Sequence, residues 1–126
     1  LAAKSHKFNA VKTVIDGITF ASKAEARRYS ELVLLHKAGK IEGLEVQPVF
    51  RLRVQLTTGT FAGAAKAIAG EYPCIGKYIA DFRYFRLEAP RGWVIEDVKG
   101  HKPALYNWKK QHVEAQYGIT ITEITR

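Results

Sequence analysis

The chain has 126 residues, 47% of them apolar and 25% charged, which suits one domain with a single hydrophobic core. No apolar run reaches the length of a membrane-spanning helix, the N-terminal LAAKSHKF lacks the apolar region of a signal peptide, and the single cysteine, Cys74, excludes an internal disulfide framework and a cysteine-rich zinc site. The net charge of +8 favours a polyanionic partner, although it can also serve solubility alone.

The first third of the chain predicts a hairpin followed by a helix. An Asp-Gly pair between β-branched residues predicts a short hairpin at 12–20. Residues 22–40 predict a helix, because Ser22 is a good N-cap and Gly39 is placed as the C′ residue. A basic N-terminal arm, 1–11, precedes both elements.

The remainder predicts three strands, a second helix and a final strand, at 44–56, 76–87, 93–100, 103–118 and 119–125. Pro48 indicates an edge or a bulge near the start of the first of these strands. The segment 57–74 is rich in small residues and has no clear period, so we expect an irregular excursion. The whole chain, 1–126, is therefore predicted to be one mixed α/β domain.

Two aspartates are predicted to face each other across a hairpin. If a turn joins 78–86 to 93–99, Asp81 lies directly opposite Asp97, with Cβ atoms about 5 Å apart. Like charges in that position repel each other and destabilise the sheet. A divalent cation between the two carboxylates would offset the repulsion, and hard oxygen ligands suit Mg²⁺ or Mn²⁺.

The same register places Ile79 opposite Lys99 and brings Lys99 to the face that carries both aspartates. Lys99 could hold a phosphate or a water beside a metal. An Asp–Lys salt bridge across a solvated face explains the same pattern, and this alternative stays open. Glu96 is expected on the opposite face as a solvated or paired surface acid.

These residues carry a family resemblance. IADFRY followed by EDVKG resembles the signature of the PD-(D/E)XK nucleases, with Ala80 where the family usually has proline. DGITFASKAEARRYSEL, LEVQPVF, IADFRY and VIEDVKG together resemble small phage-encoded nucleases of this class, whose relatives include Holliday junction resolvases. The resemblance covers nearly the whole chain except about 57–72. It implies a restriction-endonuclease-like core, αβββαβ, with a mixed central sheet and the hairpin added before it.

The resemblance also implies a reaction and a set of site residues. The reaction is Mg²⁺-dependent hydrolysis of DNA phosphodiester bonds, in which Mn²⁺ can substitute. Asp81, Asp97 and the backbone carbonyl of Val98 would hold the metal, and Lys99 would orient the attacking water or stabilise developing charge. Glu25 matches an acid on the family's first helix and would act directly or through water. By itself, Ser22-x-x-Glu25 predicts a capping box, and the two roles are compatible.

Basic residues surround the proposed site and predict salt-sensitive contacts to DNA phosphates. The predicted DNA-binding residues are Lys4, Lys7, Lys23, Arg27, Arg83, Lys102, Lys109 and Lys110. Arg28 and His112 belong to the same basic surroundings. Trp108 is predicted to lie in the core, as tryptophans in helices usually do, with base stacking as the alternative.

The sequence therefore predicts a metal-dependent, structure-selective DNA endonuclease, with a Holliday junction resolvase as the leading interpretation. Such an enzyme cuts two symmetric strands, so we expect a homodimer bound to branched DNA. A nicking or end-processing phage nuclease without junction preference, and a non-catalytic basic DNA-binding module, are the alternatives. The single cysteine fits a reducing cytoplasm, which would be that of the host if the protein is phage-encoded.

Overall fold

The computed structural model describes residues 11–54, 73–99 and 104–125. Within these ranges the strands are β1 (Thr13–Ile15), β2 (Ile18–Phe20), β3 (Ile41–Val46), β4 (Val49–Arg53), β5 (Cys74–Ile79), β6 (Phe82–Arg86), β7 (Gly92–Lys99) and β8 (Ile121–Thr125), and the helices are α1 (Lys23–Lys37) and α2 (Ala104–Tyr117). The predicted mixed α/β class is confirmed. Residues 1–10 of the basic arm, Lys102 and almost all of the excursion lie outside the described residues.

A four-stranded sheet in the order β3-β6-β7-β8 forms the centre of the fold. β3, β6 and β7 pair antiparallel, whereas β7 and β8 pair parallel, which makes the sheet mixed as expected. Two ribbons, β1-β2 and β4-β5, add to this sheet. The parallel connection from β7 to β8 runs through α2, as a parallel pair requires a crossover.

Helices and ribbons cover the sheet on both faces. On one face α1 and the β1-β2 hairpin pack against Phe82, Tyr84, Val94 and Val98. On the other face α2 and the β4-β5 ribbon pack around Ile95 and Ile121. β7 is therefore the most enclosed strand, with five consecutive buried residues from Val94 to Val98.

The local signals at the start of the chain are confirmed. Asp16 and Gly17 both have positive φ, 53° and 77°, as a two-residue hairpin turn of the primed type requires. Ser22 caps α1 by accepting a hydrogen bond from the Glu25 amide at 3.1 Å. Gly39 follows the C-cap with φ of 72°, the left-handed conformation that favours glycine.

The predictions of single strands at 44–56 and 76–87 are wrong. The first is divided at Gln47 and Pro48 into β3 and β4, and the second at Ala80 and Asp81 into β5 and β6. At these two points the chain passes between the ribbon and the main sheet. The breaks lie side by side, because the Gln47 amide donates to the Asp81 carbonyl at 2.9 Å and the Ala80 amide donates to the Pro48 carbonyl at 3.1 Å.

One consequence is that the predicted pairing of Ile79 with Lys99 does not form. Ile79 pairs with Val49 in the ribbon instead.

Among the described residues, neither helix is long and apolar enough to cross a membrane.

Candidate active site

The break between β5 and β6 sets Asp81 beside β7. Phe82 pairs with Glu96, which is the register predicted for this hairpin. One step earlier, the Asp81 amide donates to the Glu96 carbonyl at 3.0 Å, and the Val98 amide donates to Asp81 Oδ2 at 2.6 Å. The Asp81 carboxylate is therefore anchored to the backbone next to Asp97, although Asp81 itself lies in the break rather than in a strand.

Asp97 is buried without the partners that a buried carboxylate needs. Its exposure is 0%, and neither carboxylate oxygen has a hydrogen bond of ordinary geometry within the described ranges, although the Asp81 backbone, Lys99 and the Tyr106 hydroxyl are near enough to lower its pKa. The nearest cation, Lys99 Nζ, is 3.7 Å from Asp97 Oδ1, beyond hydrogen-bond length. An uncompensated buried charge is costly, so this carboxylate either takes up a proton or receives a cation.

The electrostatics of the two aspartates reflect this environment. Burial raises the pKa of Asp81 and of Asp97 to about 6, against an ordinary value of 3.8. In Asp81 the hydrogen bond from Val98 partly offsets the effect of burial on the pKa, and in Asp97 the positive charge of Lys99 does so. A metal ion would favour the charged form of both groups and reverse these shifts.

Glu25 belongs to the same electrostatic cluster. Burial raises its pKa, and the nearby charge of Asp97 adds to the rise while that of Lys99 opposes it. Its Oε2 accepts a hydrogen bond from the Ala21 amide at 3.3 Å. The Glu25 carboxylate thus binds the amide of the residue before the N-cap of α1. It is also close enough to Asp97 for the two charges to interact.

Lys99 is held above an aromatic ring at the end of β7. Its Nζ lies 4.5 Å from the centroid of the Tyr106 ring. The Tyr106 hydroxyl donates to Glu123 Oε2 at 3.0 Å and also interacts with the Asp97 carboxylate. The ammonium group therefore stays next to Asp97 and partly exposed.

The residues present fit a hard divalent cation held by few protein ligands. In the described part of the chain, no three Asp, Glu, His or Cys side chains converge to hold one ion. Mg²⁺ does not need such a set, because it commonly binds through one or two carboxylates and keeps several waters. The orphaned oxygens of Asp97 and the adjacent carboxylate of Asp81 supply that donor set, and Glu25 is left to act through water.

Glu96 corrects one prediction. It is not a surface acid, because its exposure is 1%. Arg28 binds it through two hydrogen bonds, Nε to Oε1 at 2.8 Å and Nη2 to Oε2 at 2.6 Å, and the Tyr84 hydroxyl donates to Oε2 at 2.5 Å. Glu96 lies on the same face of β7 as Val94 and Val98, which pack under α1.

The predicted DNA-binding residues have different fates. Lys23 and Arg27 are exposed on the first turns of α1, near Glu25. Lys109 lines a groove with Lys99, whereas Lys110 lies 3.6 Å from Glu123, so the two neighbours point in different directions. Lys4, Lys7 and Lys102 lie outside the described residues.

Three other basic residues make contacts within the protein instead of forming a free surface. Arg83 pairs with Glu45 and lies over the rings of Phe50 and Trp93. Arg28 is committed to the buried pair with Glu96. The His112 ring contacts the Arg53 carbonyl at 2.8 Å and joins α2 to β4.

Trp108 is also placed differently from the prediction. It is 77% exposed and does not belong to the core, whereas Tyr106 is buried. Trp108 is therefore available for base stacking, which sequence alone made the second choice.

Comparison with known proteins gives a family but no activity. Residues 5–126 match the family described as "Protein of unknown function (DUF1064)". The searches of curated proteins and of solved structures gave no match. The chain belongs to the DUF1064 family.

Proposed function

We propose that this protein is a metal-dependent DNA endonuclease of the PD-(D/E)XK type that hydrolyses phosphodiester bonds. The observation that carries the proposal is the fully buried Asp97, whose two oxygens have no hydrogen bond of ordinary geometry among the described residues, beside Asp81 and Lys99. A buried carboxylate without good hydrogen bonds is more typical of a metal ligand than of a structural ion pair. The net charge of +8 supports a polyanionic substrate.

The chain's own residues divide the work of hydrolysis. Asp81 and Asp97, with the Val98 carbonyl, would hold Mg²⁺ or Mn²⁺. When bound, the metal supplies Lewis acidity toward water and phosphate oxygens. Lys99 holds its ammonium group beside Asp97, where it can orient the attacking water and stabilise charge that develops on the phosphate. Glu25 would accept a hydrogen bond from a water at this site.

Three further properties belong to the same proposal. The order αβββαβ from α1 to β8 fits a restriction-endonuclease-like core. Its three strands between the helices are β3, β6 and β7, which are neighbours in the central sheet, and the β4-β5 ribbon is inserted between β3 and β6 in the chain. The preferred substrate is a branched DNA such as a four-way junction, cut by a homodimer. The site of action is a reducing cytoplasm.

The test is cleavage of a labelled four-way DNA junction and of a linear duplex with the same sequence. Each is incubated in Mg²⁺, in Mn²⁺ and in EDTA, and with the variant Asp97→Asn in place of the wild type. We expect paired symmetric cuts in the junction that are lost in EDTA and in the variant.

The other outcomes separate the alternatives. Cutting of both substrates would retain the nuclease and replace the resolvase by a nicking or end-processing enzyme. Cleavage by Asp97→Asn at the wild-type rate would overturn the proposed site. Binding of DNA without cleavage in either metal would favour the non-catalytic DNA-binding module.

A further inference from the structure

A groove of about 330 Å³ opens next to Lys99, between β5 and α2. Lys77 and Ile79 reach it from β5, where alternate residues share a face. Leu105 and Lys109 reach it from α2, where residues four apart share a face. Its size lies at the lower end of the range of about 300–1,000 Å³ for small-ligand sites, so it suits one nucleotide rather than a duplex.

Three lysines line the groove. They are Lys77, Lys99 and Lys109, and no acidic side chain of the described residues lines it. Lys77 is exposed, and Lys99 and Lys109 are half-buried, so all three ammonium groups can meet a ligand from solvent. Three positive charges around one concave surface concentrate field lines and attract an anion that carries more than one phosphate.

The other side chains that line the groove are apolar or aromatic. Ile79 and Leu105 line it and are large apolar side chains left 47% and 65% exposed, and the rings of Tyr78 and Tyr106 also contribute. An apolar surface surrounded by lysines matches a nucleotide, whose base and sugar are amphipathic and whose flanking phosphates are negative. A fully paired duplex keeps its bases stacked inside and cannot offer them to such a surface.

We propose that this groove is a subsite for one unpaired nucleotide of DNA, and that this nucleotide lies next to the bond that is cut. Lys77 and Lys109 bind the phosphates on either side of that nucleotide, and Ile79 and Leu105 contact its base. Lys99 joins the subsite to the aspartate pair. The subsite rests on the proposed nuclease function and extends it, because it assigns the substrate class as DNA with unpaired nucleotides at the cleavage point.

The test measures binding in EDTA, so that no cleavage is needed for the readout. The probes are a fluorescein-labelled duplex with one unpaired nucleotide and the fully paired duplex of the same length. The first variant is Lys77→Gln with Lys109→Gln, and its matched control is Lys37→Gln, an exposed lysine in the last turn of α1. The second variant is Ile79→Ala with Leu105→Ala.

We expect wild type and Lys37→Gln to bind the probe with the unpaired nucleotide more tightly. The two-lysine variant should lower the slope of log affinity against log salt by roughly 0.7–0.9 for each lysine. The two-alanine variant should keep the slope and lose the preference for the unpaired nucleotide by roughly tenfold. An unchanged slope in the first variant, or equal affinity of wild type for both probes, would overturn the subsite.

Cleavage in Mg²⁺ then separates the two proposals. If binding shows the expected slope and preference but no DNA is cut, the subsite stands and the nuclease does not. If wild type cuts DNA while the two-lysine variant binds and cuts as wild type does, the nuclease stands and the subsite does not.

Discussion

The carboxylate of Asp97 lies in the core with no hydrogen bond of ordinary geometry to either oxygen in the described ranges, which is an expensive arrangement for a folded protein. Its neighbour Asp81 has a similarly raised pKa, but its carboxylate accepts a hydrogen bond from the Val98 amide. Such a cost persists where function requires it. If the two aspartates are metal ligands, we expect effects on stability and on the response to metal that a structural ion pair would not produce.

Asp97→Asn is expected to stabilise the metal-free protein near neutral pH. Because folding raises the pKa of Asp97 from 3.8 to about 6, the folded state holds the proton more tightly than the unfolded state. The free energy of unfolding therefore falls as the pH rises from about 4 to about 6, and the full penalty, up to about 3 kcal/mol, applies above that range. Asparagine removes this contribution.

Urea unfolding in EDTA at pH 5 and pH 7 measures the effect. The variant should gain most at pH 7, and its stability should depend less on pH than that of the wild type. A variant that is less stable than wild type at pH 7 would show that Asp97 and Lys99 form a stabilising ion pair, against the metal-ligand assignment.

Mg²⁺ is expected to raise the melting temperature of the wild type. A ligand that binds only the folded state adds about 2.7 kcal/mol at a concentration one hundred times its Kd. Thermal unfolding over a series of Mg²⁺ concentrations at pH 7 measures this. Asp97→Asn should show no such rise, and an equal rise in both proteins would place the metal elsewhere.

At the scale of the elements, the start of α1 combines a cap and a site residue. Ser22 accepts from the Glu25 amide, and the Glu25 carboxylate accepts from the Ala21 amide. The two functions can be separated, because a glutamine side chain can accept the same hydrogen bond but carries no charge for the site.

Glu25→Gln should therefore change the free energy of unfolding by less than about 0.5 kcal/mol while it weakens both the Mg²⁺ response and cleavage. Ser22→Ala, the matched variant, should cost about 1 kcal/mol through loss of the cap and keep both. Denaturant unfolding with and without Mg²⁺ measures the difference. A Glu25→Gln protein with full activity would leave Glu25 as a cap alone.

The pair of Arg28 and Glu96 ties α1 to β7. Removal of one partner leaves the other charged and buried, so Arg28→Met should cost about 3–5 kcal/mol. When Arg28→Met is combined with Glu96→Gln, the loss of folding stability should be smaller, because no uncompensated charge remains. Glu31→Gln removes the other partner of Arg28, a half-exposed one, and should cost less than about 1 kcal/mol. Additive losses in the double variant would contradict this account.

At the scale of the whole molecule, the exposed apolar side chains bear on assembly. Trp93, Trp108 and Ile75 are 63%, 77% and 60% exposed. A junction resolvase must present two sites to two strands, so we expect a C₂ dimer in solution. Light scattering over a range of concentrations measures the mass. A monomer at every concentration would favour a nuclease that cuts one strand.

Local signals in the sequence determined most of the elements. The Asp16-Gly17 turn, the Ser22 cap and the Gly39 end are set by neighbours within a few residues, so they could be read directly. The short turn expected between the two strands predicted the observed register, in which Phe82 lies opposite Glu96 and Asp81 comes beside β7.

Only the tertiary structure decided the breaks at Gln47 and at Asp81, because they depend on pairing between segments far apart in the chain. It also decided that Glu96 is buried, since Arg28 on a distant helix compensates its charge. In the same way, Lys77 reaches the groove beside Lys99 because the ribbon turns onto the face of α2. Sequence patterns specify which faces are buried, whereas long-range packing specifies what each buried or exposed group meets.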